Sequence, residues 1–443
     1  MRIGIVIDWN VNASSLMGIA RNMFRELGKI MNDTQTFTIT ALRQDDLGIG
    51  DINQHYDCIN IPNMGGYAFP SDRSLFCKNL ILGLSGIDEV IYGEEVFFDK
   101  SLWKRHKPLV KKEVSRWHEH IDKISAVHVV TKSELDEMHQ YLKIPKDKMT
   151  IIPHGVNHDI FKPAENKPKT RKTVLGKFDL PDQSYFIHVS EINYVRKNLF
   201  RILDAFKKAR EQKIPQKLIL VGKTLPLISK KIKEYEDVIQ LGFVPEDDLI
   251  SLIQGSDAIV LPSIHEGFGL PLLEAMSCGI PSITMNKHAP PEVVGDSGLL
   301  VDPYSVDDIA MKMVEINKNN ILKPKSVRAY ELSQKYSWEK HATQILALYS
   351  KFTSTSKDWN FYNSFELAAY RTLATMVSLF AEEKKDILSQ SMLNFDYQKM
   401  IQWSIEYGLV MPQIKEFLLP FKDWLLSKNI EYNQYEPNKP KQL

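Results

Sequence analysis

Short apolar runs alternate with segments of helical period along the first 340 residues, and that alternation leaves the chain few architectures. An apolar run bounded by turn residues reads as a strand buried on both faces. Helix-length connections between such runs build parallel β-α-β units. In the first half the predicted strands are residues 3–8 (IGIVID), FTITAL, DEVIYG, AVHVVT and MTIIP. A polar loop at residues 9–15 leads into a helix with Met17, Ala20, Phe24, Leu27 and Ile30 at helical spacing. A second series of strands covers residues 185–189, 217–221, 238–241, 258–261 and 282–284, with helices at 199–210 and 270–278. The 443 residues exceed what one core supports, so two doubly wound α/β domains facing a cleft are expected. Their expected limits are residues 1–163 and 182–340, joined by a Lys- and Pro-rich linker at 164–181 that shows no helical or strand period. Residues 341–443 predict a helical crossover and extension that begins within SWEKHATQILALYSKF. Aromatics of this extension, such as Trp359, Phe365, Trp403 and Trp424, either pack back on the first domain or form a docking surface.

Net charge is only +1, which gives no general electrostatic reason to expect nucleic acid as a partner. Cys58, Cys77 and Cys278 are too few and scattered for a disulfide framework or a zinc knuckle, so a reducing, cytoplasmic setting is expected. The opening MRIGIVID reads as a strand rather than a leader, and no apolar run approaches the roughly 18 residues that span a bilayer.

Chemistry concentrates in DAIVLPSIHEGFGLPLLEAMSCGIPSI, where a buried strand ends in a loop and a glycine turn opens a helix. The first turn of a helix presents unpaired N–H groups and the positive end of its dipole. The amides of Phe268, Gly269 and Leu270 can therefore hold a diphosphate, with Gly267 and Gly269 letting the backbone come close. Pro271 suits such a turn, where its missing N–H costs nothing. Glu266 stands in the loop and Glu274 about one turn into the helix, so the two carboxylates bracket a ligand lying along the turn.

EGFGLPLLEAMSCG, with Glu, seven residues, then Glu, resembles the signature of retaining glycosyltransferase family four. LILVGK, IQLGFVPEDDL, APPEVVGDSGLLVDPYSVDDIA and YSWEKHA agree with it in their order. The resemblance covers nearly all of residues 185–350. In the first domain it rests on the opening strand, GIAR and IIPHGVNHDIFKP. It implies the GT-B fold, with two Rossmann-like domains, and a nucleotide-diphosphate sugar as donor with no metal cofactor. It further implies that Glu274 binds the ribose hydroxyls, that Glu266 contacts the transferred sugar, and that Arg196 and Lys197 grip the diphosphate as its charge grows. Gly242, Phe243, Val244 and Lys223 would border the base. Both glutamates are expected to be ionised, since a carboxylate only accepts hydrogen bonds.

Gly18, at the opening of the first long helix, is a candidate for the acceptor or phosphate loop, although relatives commonly carry a glycine-richer loop there. Where many relatives have a His-Asp pair after a mid-domain strand, the matching stretch is Tyr92 to Glu95, with Glu94 and Glu95 as candidate acceptor or sugar contacts. Residues 103–120, with Lys104, Arg105, Lys107, Lys111, Lys112 and Arg116 beside Trp103, Leu109, Val110 and Trp117, read either as a packed helix with a solvated basic face or as a peripheral contact with the inner face of a membrane. His118 and His120 have no metal-ligand companions in the sequence. The expected activity is retaining transfer of a hexose from a GDP- or UDP-sugar, mannose ahead of glucose, to a glycan or lipid-linked acceptor. A nucleotide-sugar epimerase on the same fold and a non-catalytic sugar-nucleotide-binding subunit are the alternatives.

Overall fold

The protein is described here from a computed structural model covering residues 1–6, 14–34, 36–42, 56–65, 68–70, 75, 77–96, 100–191, 195–318 and 321–352. Most of the polar loop at 9–15 and the helical extension beyond residue 352 lie outside the described residues.

Twelve described strands form two six-stranded sheets. The first contains β1 (Arg2–Val6), β2 (Thr38–Leu42), β3 (Cys58–Gly65), β4 (Leu80–Ser85), β5 (Ala126–Val129) and β6 (Met149–Ile151), in the order β2-β1-β3-β4-β5-β6. The second contains β7 (Tyr185–Val189), β8 (Lys217–Val221), β9 (Val238–Gly242), β10 (Ala258–Leu261), β11 (Ser282–Met285) and β12 (Leu299–Val301), in the order β12-β11-β10-β7-β8-β9. The pairings are parallel, as for Ile5 with Ala41 and Asn60, or Ile187 with Ile219 and Ile259.

Helices of the first half are α1 (Ser14–Thr34), α2 (Asp88–Tyr92), α3 (Lys100–His120) and α4 (Lys132–Leu142). Those of the second half are α5 (Lys167–Lys177), α6 (Leu199–Glu211), α7 (Pro226–Ile232), α8 (Glu246–Gly255), α9 (Leu270–Ser277), α10 (Pro290–Val294), α11 (Val306–Glu315), α12 (Leu322–Ser333) and α13 (Trp338–Ser350).

Period-two alternation buries both faces of the second sheet. Tyr185, Ile187, Ile219, Val221, Ile259 and Leu261 pack on one side with α5, α8, α9 and α12. Phe186, Leu218, Leu220, Val260 and Ile283 pack on the other with α6, α7 and α11. This is why the strands read as continuous apolar runs.

Two expectations need correction. DEVIYG is not a strand: Asp88–Tyr92 is a helical turn, closed by Gly93 at φ +56°, and the strand before it is LILGLS, β4. A five-residue apolar-polar segment fits either period, and the Gly86 break at φ +66° separates it from the true strand. The 164–181 stretch, expected to lack a helical period, contains α5. The Asn166 side chain accepts from Lys169 N, Pro168 occupies the first turn, and Val174 and Leu175 are buried against the second sheet's core. With only two core-facing residues, this helix has too narrow an apolar stripe to show in the sequence.

The chain forms two compact units. One comprises Met1–Pro62, Asp72–Leu80 and the chain from Leu346; the other comprises Asn63–Ser71 and Ile81–Ile345. In the first unit the Asn60 amide donates to the buried Tyr349 hydroxyl at 2.6 Å. In the second, the IIPHGV segment crosses the start of α13. Val156 bridges Ser337, His341 meets Pro153 O at 2.8 Å, and a Cβ on Gly155 would lie 2.1 Å from Trp338 N, so only glycine fits there.

Candidate active site

Every contact of the candidate site lies within the second unit, and the site is built at the C-terminal ends of β7 and β10. In a doubly wound sheet these ends are where ligands bind, because the helix N-termini and loops converge there. After β10 the chain runs from Pro262 through the glycine turn to α9. Gly269 caps this helix at φ +86°, a conformation that side chains disfavour. Leu272 N donates to Gly269 O at 2.8 Å, so the amides of Phe268, Gly269 and Leu270 precede the first intrahelical bond. The Phe268 side chain is buried edge-on to His154 and Tyr336, which leaves its main chain as the part able to meet a ligand.

After β7, Val195–Lys197 form a 3₁₀ turn that ends at Asn198, in the left-handed region at φ 62°. The Asn198 amide ties this turn to Pro262 O (2.8 Å) and Pro303 O (2.6 Å), and Ile264 N donates to Arg196 O at 2.7 Å. These bonds dock the basic turn against the acidic loop. Lys197 Nζ then lies 2.6 Å from Glu266 Oε1, which also accepts from Ser263 Oγ at 2.7 Å. Arg196 reaches Glu266 Oε2 at 3.5 Å and Asp88 Oδ2 at 3.4 Å. Burial alone would raise the Glu266 carboxyl, but Lys197, Arg196 and the Ser263 bond bring it down to about 2. Burial and neighbouring Arg196 lower the Lys197 ammonium in spite of Glu266. A diphosphate anion beside this turn would compensate the positive charges of Lys197 and Arg196.

Glu274 lies in α9, partly buried, and burial together with Glu246 pushes its carboxyl up to about 7. Burial and Glu246 thus work against the full ionisation of Glu274 expected from the sequence.

The remaining candidates are more dispersed. Gly242 ends β9 at φ +72° and its carbonyl accepts from Gly222 N; Phe243 is 77% exposed, Lys223 is exposed, and the Val244 side chain belongs to the core. Gly18 does not open its helix. α1 begins at Ser14, placing the Gly18 amide beyond the unpaired first turn. Glu94 and Glu95 sit exposed on the Gly93–Val96 turn, where Glu94 pairs with Lys100 at 3.5 Å. The carboxylate after the mid-domain strand that reaches Arg196 is instead Asp88.

Several site neighbours were not singled out from the sequence. Glu137 of α4 meets His265 Nε2 at 3.0 Å and His288 Nδ1 at 2.7 Å, and Tyr92 Oη lies 2.5 Å from His288 Nε2. These three acid and imidazole groups are the set of potential metal ligands found among the described residues. Burial would raise Glu137, but the two histidine bonds outweigh it and hold the carboxyl at about 2; burial would lower His265, yet Glu137 raises it. Glu134, one turn earlier, accepts Gly86 N and Val130 N, and burial pushes it up to about 8 despite those bonds. The local signal was TKSE, a capping box that marks a helix start but no site.

The family model for glycosyl transferases group 1 matches residues 172–335, the segment carrying Arg196, Lys197, Glu266, Glu274 and His288. The match is confined to this segment, which holds the strand-loop-helix site. Over 250 residues the chain is 30% identical to O-antigen chain mannosyltransferase B of Escherichia coli, covering 52% of the chain and 62% of that protein. It is 24% identical over 276 residues to the MMP alpha-(1->4)-mannosyltransferase of Mycolicibacterium hassiacum, covering 58% of the chain and 62% of that protein. The chain thus spans less than two thirds of the length of these curated relatives. Among solved structures it is similar to a glycosyltransferase from Rickettsia africae, with a TM-score of 0.60 at 17% identity over 80% of the chain and 99% of that protein. Anabaena Alr3699/HepE, solved with UDP and glucose, gives a TM-score of 0.59 at 16% identity over 79% of the chain and 100% of that protein. The fold of the chain is the GT-B fold.

Proposed function

We propose that the protein is a retaining hexosyltransferase that moves a sugar, mannose ahead of glucose, from a GDP- or UDP-sugar to a glycan or lipid-linked acceptor. The observation that carries this reading is the buried contact of Lys197 Nζ with Glu266 Oε1 at 2.6 Å, beside Arg196 and the first-turn amides of α9. Two cations and a helix N-terminus at the ends of two parallel strands suit the diphosphate of a nucleotide sugar. The mannosyltransferases among its relatives support mannose as the donor sugar.

In this reading residues 182–340 hold the donor and residues 1–163 the acceptor, joined through 164–181. Glu274 accepts from the ribose hydroxyls, while Gly242, Phe243 and the Val244 main chain border the base, with Lys223 nearby. Glu94 and Glu95 remain candidates for the acceptor side. As the anomeric carbon–oxygen bond breaks, its electron pair passes to the diphosphate, whose new charge Arg196, Lys197 and the amides of Phe268, Gly269 and Leu270 stabilise without a metal ion. The acceptor oxygen attacks from the same face and gives its proton to a diphosphate oxygen, while Glu266 holds hydroxyls of the sugar.

The proposed membrane contact is narrowed to part of residues 103–120. Trp117 is buried against Phe69, and Arg116 is held by Glu113 and Pro70 O, which leaves Lys104, Arg105, Lys107, Leu109, Lys111 and Lys112 exposed on α3. That face suits the inner, anionic surface of a membrane. No described helix is long and apolar enough to cross one.

A thermal-shift screen of GDP, UDP and their sugars tests the donor assignment, because a ligand of the native state raises apparent stability. A shift from a sugar nucleotide that Glu274→Ala abolishes is expected, followed by transfer of labelled sugar. Equal shifts in parent and variant would refute the ribose role.

A further inference from the structure

Glu266 is held by Lys197 and Ser263, but its two chain neighbours are held by a different element, α4. On the preceding side, Glu137 accepts from His265 Nε2 at 3.0 Å with one oxygen and from His288 Nδ1 at 2.7 Å with the other. On the following side, Thr131 Oγ1 donates to Gly267 O at 3.3 Å, and a Cβ on Gly267 would fall 2.8 Å from Glu134 Oε1. Thr131, Glu134 and Glu137 recur every three residues, so one face of α4 meets the loop on both sides of the carboxylate. The start of α4 is anchored in turn, because Glu292 accepts Lys132 N at 2.9 Å and Ser133 N at 2.7 Å.

We propose that Glu137 is a positioning residue of the transfer site, clamping His265 and His288 so that the His265–Gly267 loop presents Glu266 to the sugar in one orientation. This rests on the sugar-transfer reading of Glu266. The hydrogen-bond pattern defines the roles of the rings. A carboxylate accepts only, so His265 Nε2 and His288 Nδ1 both carry protons, and His288 Nε2 is left to accept from the Tyr92 hydroxyl at 2.5 Å. The groups facing His265 are Glu137 from α4, His288 from the segment after β11, Tyr92 from α2, and the charges of Asp88 and Glu266. Among them Glu137 is the carboxylate in hydrogen-bond contact with the ring, so it sets the ring's orientation next to Glu266.

Two measurements on the full chain test this. In the parent, histidine-selective NMR at neutral pH should show protons on His265 Nε2 and His288 Nδ1, the two ring nitrogens that face Glu137. In donor turnover Glu137→Gln should lose about 10- to 100-fold in kcat with donor KM within about threefold, because an amide oxygen accepts from only one of the two rings. Glu292→Gln, which loosens the start of α4 without touching either ring, should keep kcat within about threefold of the parent. A parent in which either nitrogen lacks its proton would overturn the clamp even if the variant failed to fold. So would a Glu137→Gln protein that is less stable yet keeps the parent's kcat. If the parent neither binds nor turns over sugar nucleotides, the functional reading fails, and the ring protonation pattern still decides the clamp.

Discussion

Removing the ammonium of Lys197 leaves Glu266 buried with less than its charge demands, and the size of the penalty can be worked out. The side chains of Lys197 and Glu266 are 10% and 8% exposed, so solvent offers little compensation. The drop of the Glu266 carboxyl from the ordinary 4.5 to about 2 corresponds, at about 1.4 kcal/mol for each tenfold change in acidity, to about 3 kcal/mol. Breaking one side of a buried pair costs about 3–5 kcal/mol in general, and Ser263 and Arg196 remain to hold the carboxylate, so the lower end applies here. Lys197→Met should therefore destabilise by about 3 kcal/mol, while Lys197→Met combined with Glu266→Gln should recover about 2 kcal/mol of the loss, because the neutral amide needs no counter-charge. Urea unfolding of parent, both single variants and the double variant measures the coupling. Additivity within about 0.5 kcal/mol would refute the buried pair. The sign with pH is also defined. Because the folded carboxyl is depressed, its stabilisation is present above about 4.5 and fades as pH falls toward 2, so Glu266→Gln should flatten the acid limb. In turnover, loss of the cation facing the departing diphosphate should lower kcat by about 10²–10³-fold.

Two further outcomes follow from the same geometry. If Glu274 accepts from the ribose hydroxyls as proposed, nucleotide affinity should rise with pH through about 7 and weaken below it as the carboxyl takes up a proton. Calorimetry from pH 6 to 8 checks this, and a flat parent profile would sink the assignment. Gly267→Ala should cost about 1–3 kcal/mol in urea unfolding, because its methyl displaces Glu134 Oε1 from Gly86 N and meets that nitrogen at 3.3 Å; a neutral effect would mean that Glu134 does not support the turn.

Where burial and period coincide, the elements were legible. β5 and β10 are buried at every position because both faces are covered, and AVHVVT and DAIVLPS read accordingly. β3 escaped notice because Asn60 and Pro62 interrupt its apolar pattern. The buried Asn60 amide donates to the Tyr349 hydroxyl, 289 positions away. DEVIY and α5 were misread for a different reason: each is short, with few core-facing residues, and propensity over so few positions does not separate helix from strand or coil.

The same division runs through the site. The sequence by itself determined the glycine turn, the two glutamates eight apart and the adjacent Arg196 and Lys197, since each depends on spacing along one strand-loop-helix segment. Only the tertiary structure decided which residues surround Glu266. Asp88, Glu137 and His288 come from three different loops or helices. Glu137 meets His265 and His288 across 128 and 151 residues, with no periodicity to announce the contact. Tertiary structure also decided the charge states. Glu266 and Glu274 are the same residue type in one motif, yet two nearby cations hold the first at about 2, while burial without a cation lifts the second to about 7.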